Sequence, residues 1–538
     1  MVLNKEKIKK TSIILIFILA VIIRITKWPL TMAEINCDEA MTAINAKSIA
    51  ETGCDIYGTK LPVYFESWLI GGQSILLTYL MAISIKLLGF SITAVRLPSL
   101  IISIVSLYIF DKLVQEIFEN KYEIRIITLL FLAINPWHIM QSVWALDCNL
   151  FPHIMLYAVY VFVRGINHNK KNLIYLSMVI FGVTLYSYGI ALYVTPIFLS
   201  ISLLYLLKKK KIKFLDIIIS FLIFIAITWP IILMSIINLL GLQTVKIGFL
   251  TIQHFEHCER TSDMLIFSKN FIQTLINNVI CTINLFIGNE DKLIWNALPK
   301  TGTIYLGTIV FAIISLVNFK TENEKEEQET SVSIIIIWLI VSIITGILIN
   351  NVNINRLNTL WYPLIFFIGH GIYLVLKEFK FNKYLVGMFL SIYLICSVAF
   401  ITRFYNLNYD MVYTWPNGLI KAYEEARDLA KQDVLYISKN TMNSDKKIVF
   451  LLYAINKESN NTEFLDKNIF LEYYNNNDDL KTFETWLEVY NNVKVIDVEN
   501  ITDSMNNIII KSNEWNDNFN NYNVKNYGKY IILQKEGE

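Results

Sequence analysis

Long apolar runs dominate the pattern of hydrophobic and polar positions along the first 400 residues. Each run has roughly the 17–25 residues that an α-helix needs to cross the hydrocarbon core of a bilayer. Short polar or charged segments separate one run from the next. The pattern predicts membrane-spanning helices over residues 11–29, 96–118, 124–143, 149–163, 172–189, 191–207, 214–237, 303–319, 333–350, 357–376 and 383–402.

The composition supports an integral membrane protein, since 54% of the 538 residues are hydrophobic and only 17% are charged. A net charge of +2 gives no sign of a nucleic-acid partner, which would require a concentrated basic patch. The six cysteines form no CxxC pair and predict no zinc or redox site, although Cys37 and Cys54 could pair in an oxidising compartment. The first apolar run follows several lysines and has no small-residue cleavage site, which predicts a retained anchor.

The distribution of lysine and arginine predicts the orientation of the chain. Basic residues gather in polar segments that the positive-inside rule places in the cytoplasm: the N-terminus, 119–125, 164–171, 208–213 and 377–383. The following residues and segments then face the other side: Asp38, Glu39, Arg96, Asp147, Arg356, 238–302 and the chain after residue 403.

The apolar run 69–89 conflicts with this orientation if it crosses the membrane, because Asp38 and Arg96 must share a side. We therefore predict that 69–89 lies along the outer leaflet or dips into it, as backbone covered by protein can do. Alternatively, 69–89 crosses and another segment, such as 124–143, is the embedded one. The first arrangement gives about eleven spans with the C-terminus outside.

After residue 403 the chain becomes rich in asparagine and carries mixed charge. This change predicts a small extracytoplasmic α/β domain over 403–538, following a membrane domain over 1–402 that includes an external loop at 30–95. Helical spacing of apolar residues predicts a helix at 417–431. Runs of β-branched and aromatic residues predict strands at 433–438, 447–454, 493–498, 507–511 and 529–534.

Asp38 and Glu39 stand side by side just after the first apolar run. Ionisable residues at a membrane are costly to place and usually serve a function, and a carboxylate can act as a general base. Acidic residues also stabilise the start of a helix, and residues 39–51 are helical in pattern. Both readings remain open from the residues alone.

Arg96, Asp147 and Arg356 are the other charged candidates on this side. An arginine fork matches the oxygens of a phosphate group, although Arg96 could simply extend to the interface at a helix end. Asp147 could cap the helix at 149–163. Arg356 precedes a span on the side where basic residues are rare, which favours a function.

Three histidines are predicted on the same side. His254 and His257 have a spacing of three residues, which allows polar loop contacts, substrate contact or metal binding. The spacing alone is a weak metal signal, so we predict no metal site. His138 follows Asn135-Pro136-Trp137 and is either a structural or interfacial residue or a substrate contact.

Several short motifs occur in an order that resembles a known family: Cys37-Asp38-Glu39-Ala40, Tyr64-Phe65-Glu66-Ser67-Trp68 with Gly71-Gly72-Gln73, Val95-Arg96-Leu97-Pro98-Ser99, Asn135-Pro136-Trp137-His138, Trp144-Ala145-Leu146-Asp147-Cys148-Asn149, Trp295-Asn296-Ala297-Leu298-Pro299 and Asn355-Arg356-Leu357-Asn358. This order resembles the bacterial glycosyltransferase-C (GT-C) proteins of the dolichyl-phosphate-mannose protein mannosyltransferase and aminoarabinose transferase type. The resemblance covers residues 1–400 and rests on the order of the motifs, since each is short.

The resemblance implies transfer of a sugar from a polyprenyl-phosphate donor to a hydroxyl group at the extracytoplasmic face, with inversion of the anomeric centre. Asp38 would be the catalytic base, and Glu39 would support it or hold the acceptor. Asp147 would be a second acidic residue of the site. Arg96 and Arg356 would bind the carrier phosphate or hold the site together.

The chain departs from the family where a His-Pro-Pro or Lys-Pro-Pro element is expected, because Tyr64–Gly72 stands in its place. Tyr64, Trp68 and Gln73 are therefore candidates for substrate binding, together with His138 and His254. No metal or other cofactor is expected, since a lipid phosphate leaving group already carries its charge. The bacterial character of the sequence favours an undecaprenyl carrier in the plasma membrane.

Two further function classes remain: a transporter or flippase of lipid-linked sugars, and a non-catalytic membrane scaffold. Transporters are often built from two similar halves, which this sequence does not display. A scaffold would tolerate replacement of Asp38. The acceptor, whether a glycan, protein or lipid, is not named by any motif.

Overall fold

The structure is a computed structural model. It describes residues 2–29, 35–67, 71–119, 121–255, 270–288, 291, 293–299, 301–322, 326–406, 416, 418–458, 463–466, 469–470 and 481–535. Two residues singled out in the sequence, Trp68 and His257, lie outside the described residues.

Helices dominate residues 2–406, with two small hairpins between them. Their bounds are α1 Val2–Ile25, α2 Cys37–Thr52, β1 Phe65–Ser67, β2 Gly71–Gln73, α3 Ile75–Leu88, α4 Ile92–Phe118, α5 Tyr122–Ala133, α6 Pro136–Val143, α7 Asp147–Asn167, α8 Lys171–Thr184, α9 Ala191–Lys208, α10 Phe214–Leu240, β3 Val245–Ile247, β4 Leu250–Ile252, α11 Phe271–Phe286, α12 Ile309–Glu322, α13 Glu326–Ile347, α14 Trp361–Glu378 and α15 Lys383–Asn406.

Seven of the described helices are long and apolar enough to cross a membrane: α4, α7, α9, α10, α13, α14 and α15. An eighth span results if α5 and α6 count together, although a bend of 54° separates them. The protein is thus a polytopic helical membrane protein, as predicted. The predicted number of about eleven spans is not confirmed, because regions such as α8 and α12 form helices of only 14 residues.

The apolar run 69–89 folds as the second strand of a hairpin followed by the short helix α3. Its 14 residues measure about 21 Å at 1.5 Å per residue, less than the hydrocarbon core of about 30 Å. The hairpin needs Gly72, since an added Cβ would lie 1.6 Å from the ring of Tyr64. The length of α3 agrees with a run that does not cross. The bend between α5 and α6 also suits the alternative in which 124–143 is embedded.

Helix α2 begins at a capping box that is visible in the sequence as Asn-x-x-Glu. The Asn36 side chain accepts a hydrogen bond from the Asp38 amide at 2.8 Å, and the Glu39 carboxylate accepts one from the Asn36 amide at 3.0 Å. The helix ends at Gly53, whose φ of +74° suits a residue without a Cβ. These local signals fix the position of Asp38 and Glu39 in the first turn.

The C-terminal region contains a five-stranded sheet in the order β6-β5-β7-β9-β8. Strand β5 is parallel to β6 and β7, whereas β9 is antiparallel to β7 and β8. The elements are α16 Leu419–Ala430, β5 Leu435–Ser438, α17 Asp445–Glu458, α18 Lys481–Asn491, β6 Val493–Ile496, β7 Ile508–Lys511, β8 Tyr522–Tyr527 and β9 Tyr530–Lys535.

One strand prediction in this region was wrong. Residues 447–454 lie in helix α17 and are not a strand, because a short apolar run buried on all sides carries no period that separates the two structures. Strand β8 was missed because it is an exposed edge strand of mixed polarity. The remaining predicted strands and the helix at 417–431 agree with the structure within a few residues.

The C-terminal region and helix α2 share one hydrophobic core. The rings of Phe90 and Tyr453 lie 5.2 Å apart, and the Lys47 ammonium donates to the Asn456 carbonyl at 2.6 Å. Burial lowers the pKa of Lys47 below its usual value. A change of composition therefore marks residue 403, but the packing joins the segments on either side of it.

Candidate active site

Glu39 and Arg96 form a closed ion pair at the centre of this region. Arg96 Nε lies 3.0 Å from Glu39 Oε1, and Arg96 Nη2 lies 2.8 Å from Glu39 Oε2. The Ala145 amide donates to Glu39 Oε1 at 2.8 Å, in addition to the Asn36 amide. Both side chains are at most 1% exposed. Because a carboxylate accepts about four hydrogen bonds, Glu39 has little remaining capacity to take a proton or a substrate hydroxyl.

Arg96 is held on its other sides as well. Its Nη1 donates to the Pro29 carbonyl at 2.5 Å, and its guanidinium lies 4.8 Å from the ring of Trp144. The pair thus ties α2 to α4 and to the loop before α7. Among the roles implied by the resemblance, this geometry suits support of the site for both residues.

Asp38 occupies the opposite environment, although it is the next residue along the chain. Its side chain is exposed, while its carbonyl accepts a hydrogen bond from the Thr42 hydroxyl at 2.7 Å. Gln73 donates to the same hydroxyl at 2.5 Å and so braces the first turn of α2 from the hairpin β1–β2. Successive residues of a helix point about 100° apart, which explains how one acid is buried and its neighbour is accessible.

The charges of Asp38, Asp147 and Arg356 come together around the Cys148 thiol, on which all three act electrostatically. We call these four residues the mouth cluster. Asp147 is the first residue of α7, and Leu146 occupies the N-cap position for which Asp147 was considered. The acids thus lie in the first turns of α2 and α7, where helix dipoles favour negative charge. Asp147 and Arg356 are partly exposed, so small molecules can reach this cluster.

The loop that carries Arg356 is fixed by Asn358, which sequence reasoning did not select. Its side-chain oxygen accepts from Trp137 Nε1 at 3.0 Å, and its amide nitrogen donates to Gln141 Oε1 at 3.2 Å and to the Cys148 carbonyl. The loop is therefore bonded to α6 and to the first turn of α7. An asparagine gives no signal of this role in a single sequence.

A buried carboxylate supports the same loop from the other side. Asp291 accepts hydrogen bonds from the Ile354 amide at 2.9 Å and from the Asn296 side chain at 2.8 Å. Burial raises the pKa of Asp291. Arg356 itself donates to the Tyr188 hydroxyl at the long distance of 3.5 Å, which leaves its fork loosely held.

Tyr64 and His254 lie in the wall formed by the loop before β1 and the hairpin β3–β4. The Val63 amide donates to the Thr251 carbonyl at 3.1 Å, and the rings of Tyr64 and Phe255 are 6.1 Å apart. His254 Nδ1 is buried and has no hydrogen-bond partner within the described part of the chain. The printed contacts of these two residues do not reach the mouth cluster.

His138 belongs to a separate chain of buried polar groups, which we call the buried network: Arg24, His138, Ser106, Tyr362 and His153. Arg24 Nη2 lies 2.7 Å from His138 Nδ1, and His138 Nε2 lies 2.9 Å from the Ser106 hydroxyl. The Tyr362 hydroxyl lies 2.7 Å from Ser106 and 2.7 Å from His153 Nδ1. Arg24 was missed in the sequence, although an arginine inside an apolar run is itself a signal.

The cation at one end sets the direction of every hydrogen bond in this network. Arg24 can only donate, so His138 Nδ1 accepts and its Nε2 proton is donated to Ser106. Tyr362 also donates to Ser106, and His153 Nδ1 then donates to Tyr362. Both histidines are neutral in this arrangement. His138 is thus placed as a structural member of the helix bundle.

The described residues contain no group of three or more His, Cys, Asp or Glu side chains that could hold a metal ion.

Comparison with known proteins links this architecture to a family. Residues 73–230 match the model of the dolichyl-phosphate-mannose-protein mannosyltransferase family. No match was found among curated protein sequences. Arg96 and Asp147 lie inside the matched region, whereas Asp38 and Glu39 precede it and Arg356 follows it.

The fold is similar to that of ArnT from Cupriavidus metallidurans. The crystal structure of ArnT bound to undecaprenyl phosphate matches with a TM-score of 0.53 and 12% identity, covering 97% of each chain. The structure in the apo state matches with a TM-score of 0.44 and 12% identity over 97% of this chain and 98% of that one. The resemblance read from the motifs is confirmed: this chain has an ArnT-like GT-C fold, and its residues 73–230 match the mannosyltransferase family.

Proposed function

We propose that the protein is a membrane glycosyltransferase that moves a sugar from a polyprenyl-phosphate donor to an acceptor hydroxyl. The observation that carries this proposal is the mouth cluster, which places an exposed carboxylate and an arginine together on a GT-C fold. The bound undecaprenyl phosphate of ArnT supports a donor of this class.

The reaction would be one displacement at the anomeric carbon. Asp38 takes the proton of the acceptor hydroxyl, and the oxygen forms a bond to the anomeric carbon. The bond between that carbon and the phosphate oxygen breaks, and the electron pair leaves with the polyprenyl phosphate. Arg356 offers a fork of donors to the departing phosphate. A single displacement inverts the configuration at this carbon.

The remaining residues would act around these two groups. Asp147 adds a second negative charge near the anomeric carbon, where positive charge develops as the donor bond breaks. Glu39 and Arg96 act as positioning residues, since their mutual pair occupies both side chains. Gln73 holds the turn that presents Asp38.

We place the reaction at the extracytoplasmic face of a bacterial plasma membrane, with the N-terminus in the cytoplasm and the C-terminal region outside. The positive-inside distribution of lysine and arginine supports this orientation. The mouth cluster lies at the ends of helices, where a lipid phosphate would be held at the membrane surface.

The test compares wild-type protein with Asp38→Asn in lipid vesicles, using a panel of radiolabelled polyprenyl-phosphate sugars. Glu51→Gln is the matched control, because Glu51 lies on the same helix and pairs with Lys47 at 3.9 Å, away from the mouth cluster. Asp38→Asn keeps the size of the side chain and removes the base. We expect sugar transfer or release by wild type and Glu51→Gln, and a loss of at least about 100-fold in Asp38→Asn.

Equal activity of Asp38→Asn and wild type would exclude Asp38 as the base. No activity in any of the proteins across the full donor panel, with membrane extracts supplied as acceptor, would contradict the enzyme and favour a transporter or scaffold. Thermal unfolding of both variants in detergent confirms that the fold is intact, since exposed substitutions change stability by only about 0.5 kcal/mol.

A further inference from the structure

Three lysines of the C-terminal region gather at the edge where its parallel strands end. Strand β7 ends at Lys511, and the Ser512 amide donates to the Lys529 carbonyl at 2.9 Å on the neighbouring strand side. Lys447 lies in the first turn of α17, which follows β5 in the chain. In open α/β sheets, ligands bind in the crevice at the carboxyl ends of the parallel strands.

The lysines are close enough to oppose one another. The Lys447 and Lys511 side chains are within hydrogen-bonding reach, and Lys529 adds its charge to the same place. Burial lowers the pKa of Lys447 to about 8, and the neighbouring Lys511 and Lys529 lower it further in the same direction. Such an arrangement of like charges costs free energy unless an anion neutralises it.

The chain supplies only part of the compensating charge. Glu514 is the acid that acts on Lys447, and its carboxylate accepts from the Ser438 hydroxyl at 2.7 Å and from the Asn440 side chain at 2.8 Å. The Lys511 amide donates to the same carboxylate at 2.7 Å. Lys447 also donates to the Asn443 side chain. Three ammonium groups thus face one carboxylate that is already held in place.

We propose that Lys447, Lys511 and Lys529 form a binding site for a phosphate-type oxyanion, either free phosphate or the phosphate group of an ester. A tetrahedral oxyanion can accept from several ammonium groups at once, and lysine binds phosphate as a point charge. The start of α17 adds a favourable dipole to the same place.

This site is separate from the mouth cluster and does not depend on the proposed transferase reaction. Helix α17 contacts α2 through Asn456, which lies about 14 Å along the helix axis from Lys447 at 1.5 Å per residue. Binding can therefore be tested whatever the outcome for Asp38.

The experiment is equilibrium dialysis of ³²P-labelled inorganic phosphate against the full-length protein in neutral detergent, at constant ionic strength. We expect saturable binding to wild type, and binding at least about tenfold weaker in Lys447→Gln and in Lys511→Gln. Lys494→Gln is the matched control, because Lys494 lies on β6 and pairs with Glu488 at 3.1 Å. The control should bind as wild type does.

The unfolding midpoint separates loss of the site from loss of the fold. Without phosphate, Lys447→Gln should melt at the wild-type temperature or higher, because the substitution removes a like-charge contact. Phosphate should raise the wild-type midpoint and leave that of Lys447→Gln unchanged. No saturable binding to wild type, or equal binding by wild type and both site variants, would overturn the proposal.

Proton uptake gives an independent readout. At about pH 9, one unit above its pKa, Lys447 is mostly neutral, and binding of an anion favours its protonated form. Calorimetry in buffers of different ionisation heat should show proton uptake by wild type that is absent in Lys447→Gln. Uptake that persists in this variant would contradict the role of Lys447. Competition by sn-glycerol 3-phosphate would identify a phosphate ester as the ligand, and its absence would identify free phosphate.

Discussion

The mouth cluster and the buried network both contain ionisable residues, but they use them in opposite ways. In the mouth cluster, charges of both signs lie at helix ends where solvent and substrates can reach them. In the buried network, Arg24 is 0% exposed and its partners are neutral: an imidazole and the carbonyls of Ala20 and Ala133. Access, more than the presence of charge, separates the site that can do chemistry from the one that holds helices together.

The Glu39–Arg96 pair lies between these two cases. It adjoins the mouth cluster in sequence, yet it is as closed as the buried network. The comparison teaches that adjacency to a catalytic candidate does not give a residue the same role. It also predicts that substitutions in the three places will separate effects on turnover from effects on stability.

The largest effect on stability is expected from Glu39→Gln. This change leaves the Arg96 cation buried without its counter-charge, which typically costs about 3–5 kcal/mol. The free energy of unfolding, measured in detergent with chemical denaturant, should fall by that amount. Glu51→Gln provides the control on the same helix and should change it by less than about 0.5 kcal/mol. A stable Glu39→Gln with a full loss of turnover would instead assign chemistry to Glu39.

Arg356→Gln tests the mouth cluster from the side of the phosphate. Loss of a charge-assisted hydrogen bond should lower kcat/KM for the donor by about 10–100-fold, with little change in the unfolding midpoint. Arg356→Lys keeps the charge but not the fork, and should fall between the two. Arg164→Gln, at an exposed arginine bonded to Tyr160, is the control. Wild-type kinetics in Arg356→Gln would remove Arg356 from the site.

The smallest effect is expected in the buried network. Ser106→Ala removes the hydroxyl that joins His138 to Tyr362, and should lower the free energy of unfolding by about 1–2 kcal/mol. Turnover should remain at the wild-type level. Ser103→Ala is the control on the same helix, since that hydroxyl bonds the Leu100 carbonyl of its own turn. A large loss of turnover in Ser106→Ala, with stability unchanged, would bring this network into the mechanism.

Much of the fold could be predicted from the sequence because bilayer spans and edge turns leave strong local signals. The apolar runs gave the helices, and Asn36 with Glu39 forms a readable capping box. Helix α17 was missed as a helix because apolar residues buried on every side lose the period that would reveal it. Its burial depends on α2, which lies nearly 400 residues away in the chain.

The candidate site was predictable in its charges but not in its supports. Asp38, Asp147 and Arg356 stand out because charged residues are rare near apolar runs. Asn358 and Gln141 are neutral, and only the packing of distant helices gives them a role. The sequence also could not separate Asp38 from Glu39, since the two differ only in which side of a helix turn is covered by Arg96.

The shared core of α2 and the C-terminal region has a consequence for synthesis of the chain. The residues that cover Ile44 and Met41 are made about 400 residues after α2 itself. At about 5–20 residues per second, translation leaves this apolar face uncovered for roughly 20–80 seconds. During that interval the helix must rest against lipid or a chaperone, and truncated products of the gene would keep it exposed permanently.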